Sequence, residues 1–290
     1  ISLTAGAAGI STQLVTQTVS RVAGGTLQLT PNAAVNFGVT ELYSVTNGSD
    51  SFTEGLATGL GIGGTGTMLA PWIVNTAANS FVTLSAQSGP ANIVNVVSTT
   101  TAFATSQNFD ILDVTIAAAT PMGANVNAYA MKLTSNAAAG FNGGGNINIV
   151  GDARGAGLIL AGVTLHTVNI NTAQELIVYN GVAAAQTFQG TVTANGLTKF
   201  GPGTLALRVD NPNLGGTVTV NNGTLAVETL AGLNSRSVVL NGGTLVLGNT
   251  RGQTLAATTT VSLPSSFTVR RSTLLTRPSG RNCICLPSRP

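Results

Sequence analysis

Asp110 and Asp113, in Phe109-Asp110-Ile111-Leu112-Asp113-Val114, are the most closely spaced acids in the chain and the natural place to look for paired carboxylate chemistry. Glycoside hydrolysis needs two carboxyl groups converging on one bond. A spacing of three along a period-two strand sends these two side chains to opposite faces, so without a bulge they read as solvated corner residues. His166 is the only histidine. One imidazole cannot build a multi-histidine metal site, and as a general base it needs an orienting acid and a nucleophile, neither of which is near it in sequence. It reads as a strand-surface histidine. The run Gly59-Leu60-Gly61-Ile62-Gly63-Gly64 satisfies G-x-G-x-x-G, whose glycines let backbone approach a pyrophosphate. No strand and helix bracket it, and Ser80 and Phe81 fall where the ribose-binding acid belongs, so it reads as a loop. Gly63-Gly64-Thr65-Gly66-Thr67 begins like a calcium-binding nonapeptide, but Met68 stands where the carboxylate is required. Cys283 and Cys285 are two thiolates in an unusual tail, short of a metal site. Trp72, Tyr43, Tyr129 and Tyr179 are too dispersed for a sugar-stacking platform. The expectation is a chain with no catalytic residue, no metal and no cofactor.

Charge distribution narrows the partners. The net charge of +3 comes from the end of the chain, because Arg251, Arg270, Arg271, Arg277, Arg281 and Arg289 all follow the last acid, Glu228. Residues 1–250 hold six cations, Arg21, Lys132, Arg154, Lys199, Arg208 and Arg236, against nine acids, a net −3. A nucleic-acid surface needs clustered Lys and Arg, so none is expected. No apolar run approaches the ~18 residues of a membrane-spanning helix. The chain opens at Ile1 without a signal-peptide pattern, and its native N-terminus is expected further upstream. Cysteine is absent before Cys283, which rules out a disulfide framework in the body and suits an exported product.

Something must position these residues, and composition says what. Aromatics make up only 4% of residues, so large rings do not hold the core together, while 43% hydrophobic residues and 36 glycines favour β-branched strands cut by tight turns. Gly203-Thr204-Leu205, Gly223-Thr224-Leu225 and Gly243-Thr244-Leu245 recur every 20 residues, each followed by another alternating pair. A further copy is Gly25-Thr26-Leu27-Gln28-Leu29. Thr217-Val218-Thr219-Val220 alternates with period two and ends at Asn221-Asn222-Gly223, where glycine supplies the positive φ of a corner. A unit this short cannot bury its apolar face alone, but stacking units ~4.8 Å apart pairs every strand with its neighbours above and below. Equivalent positions that return in the same chain direction favour parallel pairing. The predicted fold is all-β, a right-handed parallel β-helix. Residues 1–190 read as an irregular β-helical region, 191–250 as regular coils, and 251–290 as an atypical, poorly ordered or non-native tail.

Residues 196–227 resemble the passenger-associated transport repeat, also called the autotransporter-associated β-strand repeat. Leu197, Lys199, Gly201, Gly203, Leu205, Leu207, Asn211, Gly216, Thr217, Val220, Gly223 and Leu225 fall in that family's spacing. Leu214 departs from it, standing where an aromatic is usual, as does Val209, where a small residue is common. Leu69-Ala70-Pro71-Trp72-Ile73-Val74-Asn75, with Phe81 beyond, is similar to segments that precede such repeats. The resemblance implies a right-handed parallel β-helix exported to the cell surface or medium of a bacterium. Its repeats would support passenger folding and secretion, with an outer-membrane translocator as partner in the full-length protein. An adhesive role would add a surface glycan or a host-matrix ligand. The competing reading is a β-helical polysaccharide lyase or glycosidase, which would need a second acid beside Asp110 or Asp113.

Overall fold

The computed structural model describes residues 2–3, 12–16, 19, 21–45, 68–85, 91–96, 98, 101, 104, 106–135, 140–162, 164–229, 231–248 and 261–262. From Ile111 to Leu247 the described chain winds as a parallel β-solenoid with three faces, visited in a fixed order, the third carrying strands only as far as Thr193. The first face stacks eight strands: Ile111–Ile116, Ala130–Ser135, Ala156–Gly162, Leu176–Asn180, Leu197–Phe200, Val218–Val220, Val238–Leu240 and Val261–Ser262. The second face stacks Thr164–His166, Ala185–Phe188, Thr204–Leu207, Thr224–Val227 and Thr244–Leu247. Above it lies the pair Thr120–Pro121 and Phe141–Asn142, joined to it where Thr167 N–H donates to Phe141 O at 3.0 Å. The third face stacks Val126–Ala128, Asn146–Ile149, Asn169–Asn171 and Val192–Thr193. Every pairing within these faces is parallel. By the rule that strand–crossover–strand units wind right-handed, so does the coil.

Register turns the sequence repeat into columns. Thr204, Thr224 and Thr244 are successive Cα partners, and so are Leu205, Leu225 and Leu245. Period two then sends alternate side chains inward. On the first face the inward column runs Leu112, Met131, Leu158, Val178, Lys199, Val220, Leu240. Together with Leu205, Leu207, Leu225 and Val227 of the second face and Val126, Ile147, Ile170 and Val192 of the third, it fills the lumen as one continuous core. Small aliphatic side chains suffice because each coil adds only one layer, which is how a chain with so few aromatics closes a core.

The chain before Ile111 takes a different form. Coils were expected throughout residues 1–190, yet the described strands up to Asn95 form a separate mixed sheet. Its order is Ser2–Leu3, Leu27–Pro31, Ile73–Asn75, Ser80–Leu84, Ala91–Asn95, Glu41–Val45, Thr12–Thr16, and three of its junctions are antiparallel. The early Gly25-Thr26-Leu27 copy therefore belongs to this sheet, with Leu27 paired to Ile73, and not to a coil. The sheet lies on the outer side of the first face. Leu29, Trp72, Ile73, Phe81 and Val82 share a second apolar core with the outward residues Ile111, Ala130, Ile159, Ile177, Tyr179 and Phe200. This explains why strands such as Ala156–Gly162 are apolar without alternation: both of their faces are covered. Gly157 lies directly under the sheet, where a Cβ would come within 2.7 Å of Pro71 Cβ and 2.8 Å of Phe81 Cε1. Arg21 fixes the docking by a two-pronged ion pair with Glu175 at 2.7 and 2.9 Å, and Thr198 Oγ1 donates to the same carboxylate. In the tail, Val261–Ser262 adds one more parallel strand beneath Val238–Val239. The rest of the atypical segment after 262 lies outside the described residues.

The corners explain the repeat glycines. Gly223 has φ +66°, and a Cβ there would run into Gly201 O, Gly203 O and Lys199 Nζ. Gly223→Ala should therefore cost roughly 2–4 kcal/mol, from left-handed strain plus backbone collision. Gly144→Ala, which meets nothing within 4 Å, should leave stability unchanged. Thermal and urea unfolding of the two variants checks the contrast.

Candidate functional site

The residues singled out by the repeat are structural. Leu197, Leu205, Leu207, Val220 and Leu225 line the lumen. Gly201, Gly216 and Gly223 hold corners at positive φ, while Gly203 packs against Val182 O and the Asn180 amide, leaving no room for a Cβ. Thr217 is exposed, its carbonyl receiving Leu197 N–H at 3.1 Å. Asn211 is fully buried and staples three segments: Nδ2 donates to Val209 O (3.0 Å) and Gly232 O (2.8 Å), and Oδ1 accepts Val192 N–H at 2.7 Å. Leu214, the departure from the repeat pattern, is buried in the lumen core and fills its place without an aromatic ring. Lys199 lies in the inward column with no exposed surface. Its ammonium donates to Gly201 O at 2.6 Å and Asn222 O at 2.8 Å, the carbonyls of two successive corners. Desolvation holds its pKa down to about 8.

The candidate acids do not converge. Asp113 pairs with Lys132 of the next coil at 3.1 Å, and Asp110 accepts Gln107 N–H at 2.6 Å in the turn before its strand. Every acid in the described residues is similarly engaged: Glu41 with Asn32 N–H, Asp152 with Arg154, Glu175 with Arg21, Asp210 with Ala231 N–H and Glu228 with Arg208. Tyr129 is absorbed into the Asp152 network, its hydroxyl donating to Oδ2 at 2.7 Å and accepting from Arg154 at 2.9 Å. Trp72 and Tyr43 are core residues of the N-terminal sheet, and Tyr179 packs at a tilt against Phe200 with ring centroids 5.0 Å apart. Among the described residues no three His, Cys, Asp or Glu side chains group as metal ligands. The glycine run 59–64, the loop 63–67 and Cys283 and Cys285 lie outside the described residues; Met68 is buried.

His166 is not on the surface. It faces the lumen in register with Phe188, between the rings of Phe141 and Phe188, with no exposed area. Its Nδ1 accepts Phe141 N–H at 3.4 Å, whereas Nε2 has no hydrogen-bond partner, nor does Nε2 of the buried Gln186. Burial pushes its pKa down to about 4. A neutral imidazole enclosed among phenyl rings cannot reach a substrate.

The outward side of the third face carries a different and regular arrangement that sequence reasoning passed over. Four triplets stack there: Asn125-Val126-Asn127, Asn146-Ile147-Asn148, Asn169-Ile170-Asn171 and Thr191-Val192-Thr193. The middle residue of each points inward into the core, so the flanking residues form two outward columns. In the first column Asn146 Nδ2 donates to Asn125 Oδ1 (2.9 Å), Asn169 Nδ2 to Asn146 Oδ1 (3.0 Å) and Thr191 Oγ1 to Asn169 Oδ1 (3.0 Å). In the second, Asn148 Nδ2 donates to Asn127 Oδ1 (2.8 Å) and Asn171 Nδ2 to Asn148 Oδ1 (3.3 Å). Rungs are ~4.8 Å apart and the columns ~6.7 Å apart, as strand geometry requires. None of the twelve residues ionises. The signal available in the sequence was polar-apolar-polar triplets returning at the coil period. No protein-family model matches this chain, and no curated protein or solved structure matches it.

Two buried bases make the stability of the fold depend on pH. His166 binds its proton more weakly folded than unfolded, so stability should fall as pH drops from about 6.5 to about 4, by roughly 3 kcal/mol in total. Lys199 is likewise depressed, from 10.5 to about 8, so its contribution should rise with pH across that window. Above pH ~10 the Tyr179 phenol, pushed up to about 12 by burial, opposes that rise. Unfolding free energy measured from pH 4 to 10 should show both slopes, with His166→Leu flattening the acid limb and Lys199→Met the alkaline one.

Proposed function

We propose that this chain is a non-catalytic structural segment of an exported, surface-displayed β-solenoid, whose regular coils support folding during export and whose outer surface serves adhesion. The observation that carries the reading is the in-register stack from Leu176 to Leu247, in which the repeat residues close lumen and corners and leave no side chain poised for chemistry. Each coil completes the ladder of the one before it, so folding can propagate coil by coil as chain is delivered. That property suits passage through an envelope. Support also comes from the acids: each one described is held in an ion pair or by backbone N–H, the opposite of the open, converging pair that glycosidic cleavage requires.

The test is display. With the 290-residue chain placed ahead of an outer-membrane translocator in a Gram-negative host, added protease should degrade it from outside the cell. Deleting residues 191–250 should reduce the displayed amount severalfold. The same purified chain should release neither reducing ends nor unsaturated products from neutral or acidic polysaccharides. Retention inside the envelope with or without the coils, or steady product release, would contradict the reading.

A further inference from the structure

We infer that the two-column amide face of residues 125–127, 146–148, 169–171 and 191–193 is a binding site for a neutral, extended polysaccharide lying along the solenoid axis. The inference rests on the surface role proposed above and names the ligand class for it. The face carries no ionisable side chain, so it offers nothing to neutralise a polyanion or a cation. Hydroxyl-rich neutral polymers are the ligands whose polar groups such a surface complements. An asparagine amide has two N–H donors and an oxygen with two lone pairs; the ladder uses at most one donor per residue, and although the Asn125 and Asn169 oxygens each accept two bonds, those of Asn146 and Asn148 accept only one. The remaining capacity faces outward at half-exposed positions. An amide N–H and C=O side by side match a vicinal diol, donating to one hydroxyl and accepting from the next.

Three further features favour a polymer over a single sugar. The array repeats every ~4.8 Å over four rungs, about 14 Å in all, and an extended β-linked glycan advances by a similar step per residue, so successive sugars meet the same geometry. Weak contacts then add through multivalency. The amides are already immobilised by their ladder bonds, so binding them costs little side-chain entropy. A trough bordered by Val150, Gly151 and Gln174 runs beside the Asn148, Asn171 and Thr193 column and gives a chain a rail to lie against. The next coil ends the array: Leu214 bridges to Ala194, so the positions in register with Thr191-Val192-Thr193 are Asn211-Pro212-Asn213, where Asn211 is buried and an exposed proline stands in place of the inward residue.

Affinity electrophoresis of the full chain in gels containing hydroxyethyl cellulose, xyloglucan or galactomannan tests this, with polygalacturonate as the charged counterpart. At least one neutral polymer should retard the protein, and polygalacturonate should not. Asn148→Ala with Asn171→Ala should abolish the retardation. Thr193→Val, which keeps shape and removes only a hydroxyl, should weaken it about three- to tenfold. Val246→Ser on the second face should change nothing, and circular dichroism melting should show each variant folded. The proposal is overturned by no retardation in any neutral gel, or by retardation that survives in the double alanine variant. Ice shaping or self-association through Asn148 and Asn171, without glycan binding, would assign the face to another occupant and overturn it too. Loss of glycan binding with surface display intact would sink this site alone, whereas failed display with binding intact would sink only the export reading.

Discussion

A coil of a parallel solenoid has nowhere to satisfy its strand backbone except the coils above and below it, and everything else in this chain follows from meeting that constraint in register. A slip of one residue would turn Leu205 and Leu225 outward and bring Ala206 and Ala226 into the lumen, exchanging core for surface along the whole second face. Register therefore specifies the inward columns, the corner positions where only glycine fits, and the outward columns together. Lys199 illustrates how strict the columns are. The inward place it occupies between Val178 and Val220 is kept although it buries an amine, because the same stacking brings two corner carbonyls to its ammonium.

The three outward sides meet three different ends. The first is covered by the N-terminal mixed sheet, which accounts for its doubly apolar strands and for Gly157 beneath Pro71 and Phe81. The second carries small or hydroxyl side chains, Thr187, Ala206 and Ala226, down to the exposed Val246. The third carries the amide columns, and it alone repeats a polar pattern over four coils. Ladder bonds stabilise that side and at the same time hold its amides in a fixed array, so one set of contacts serves both the fold and the proposed site.

The solenoid was legible from Gly203-Thr204-Leu205 and its two successors, since a period of twenty with conserved chain direction has few other physical solutions. The N-terminal sheet was not. Gly25-Thr26-Leu27 has the same local pattern, and only its partners, Ile73 on one side and Ser2–Leu3 on the other, distinguish a sheet strand from a coil. His166 was misplaced because Leu165-His166-Thr167 does not say which parity faces inward; that is decided by Phe188 and Leu207, which follow in its column. The amide columns were overlooked for a related reason. Their triplets return at steps of 21, 23 and 22 residues, uneven enough to hide among an asparagine-rich sequence until register aligns them.

In-register parallel stacking is most directly tested by disulfide trapping in a background with Cys283→Ser and Cys285→Ser. Neighbouring outward positions on adjacent coils have Cα atoms ~4.8 Å apart, inside the range a disulfide spans, while positions two coils apart are ~9.6 Å apart and outside it. Ala226→Cys with Val246→Cys should close under mild oxidation, and Ala206→Cys with Val246→Cys should stay reduced. Closure of the second pair, or failure of the first in a folded protein, would contradict the stacking on which the account depends.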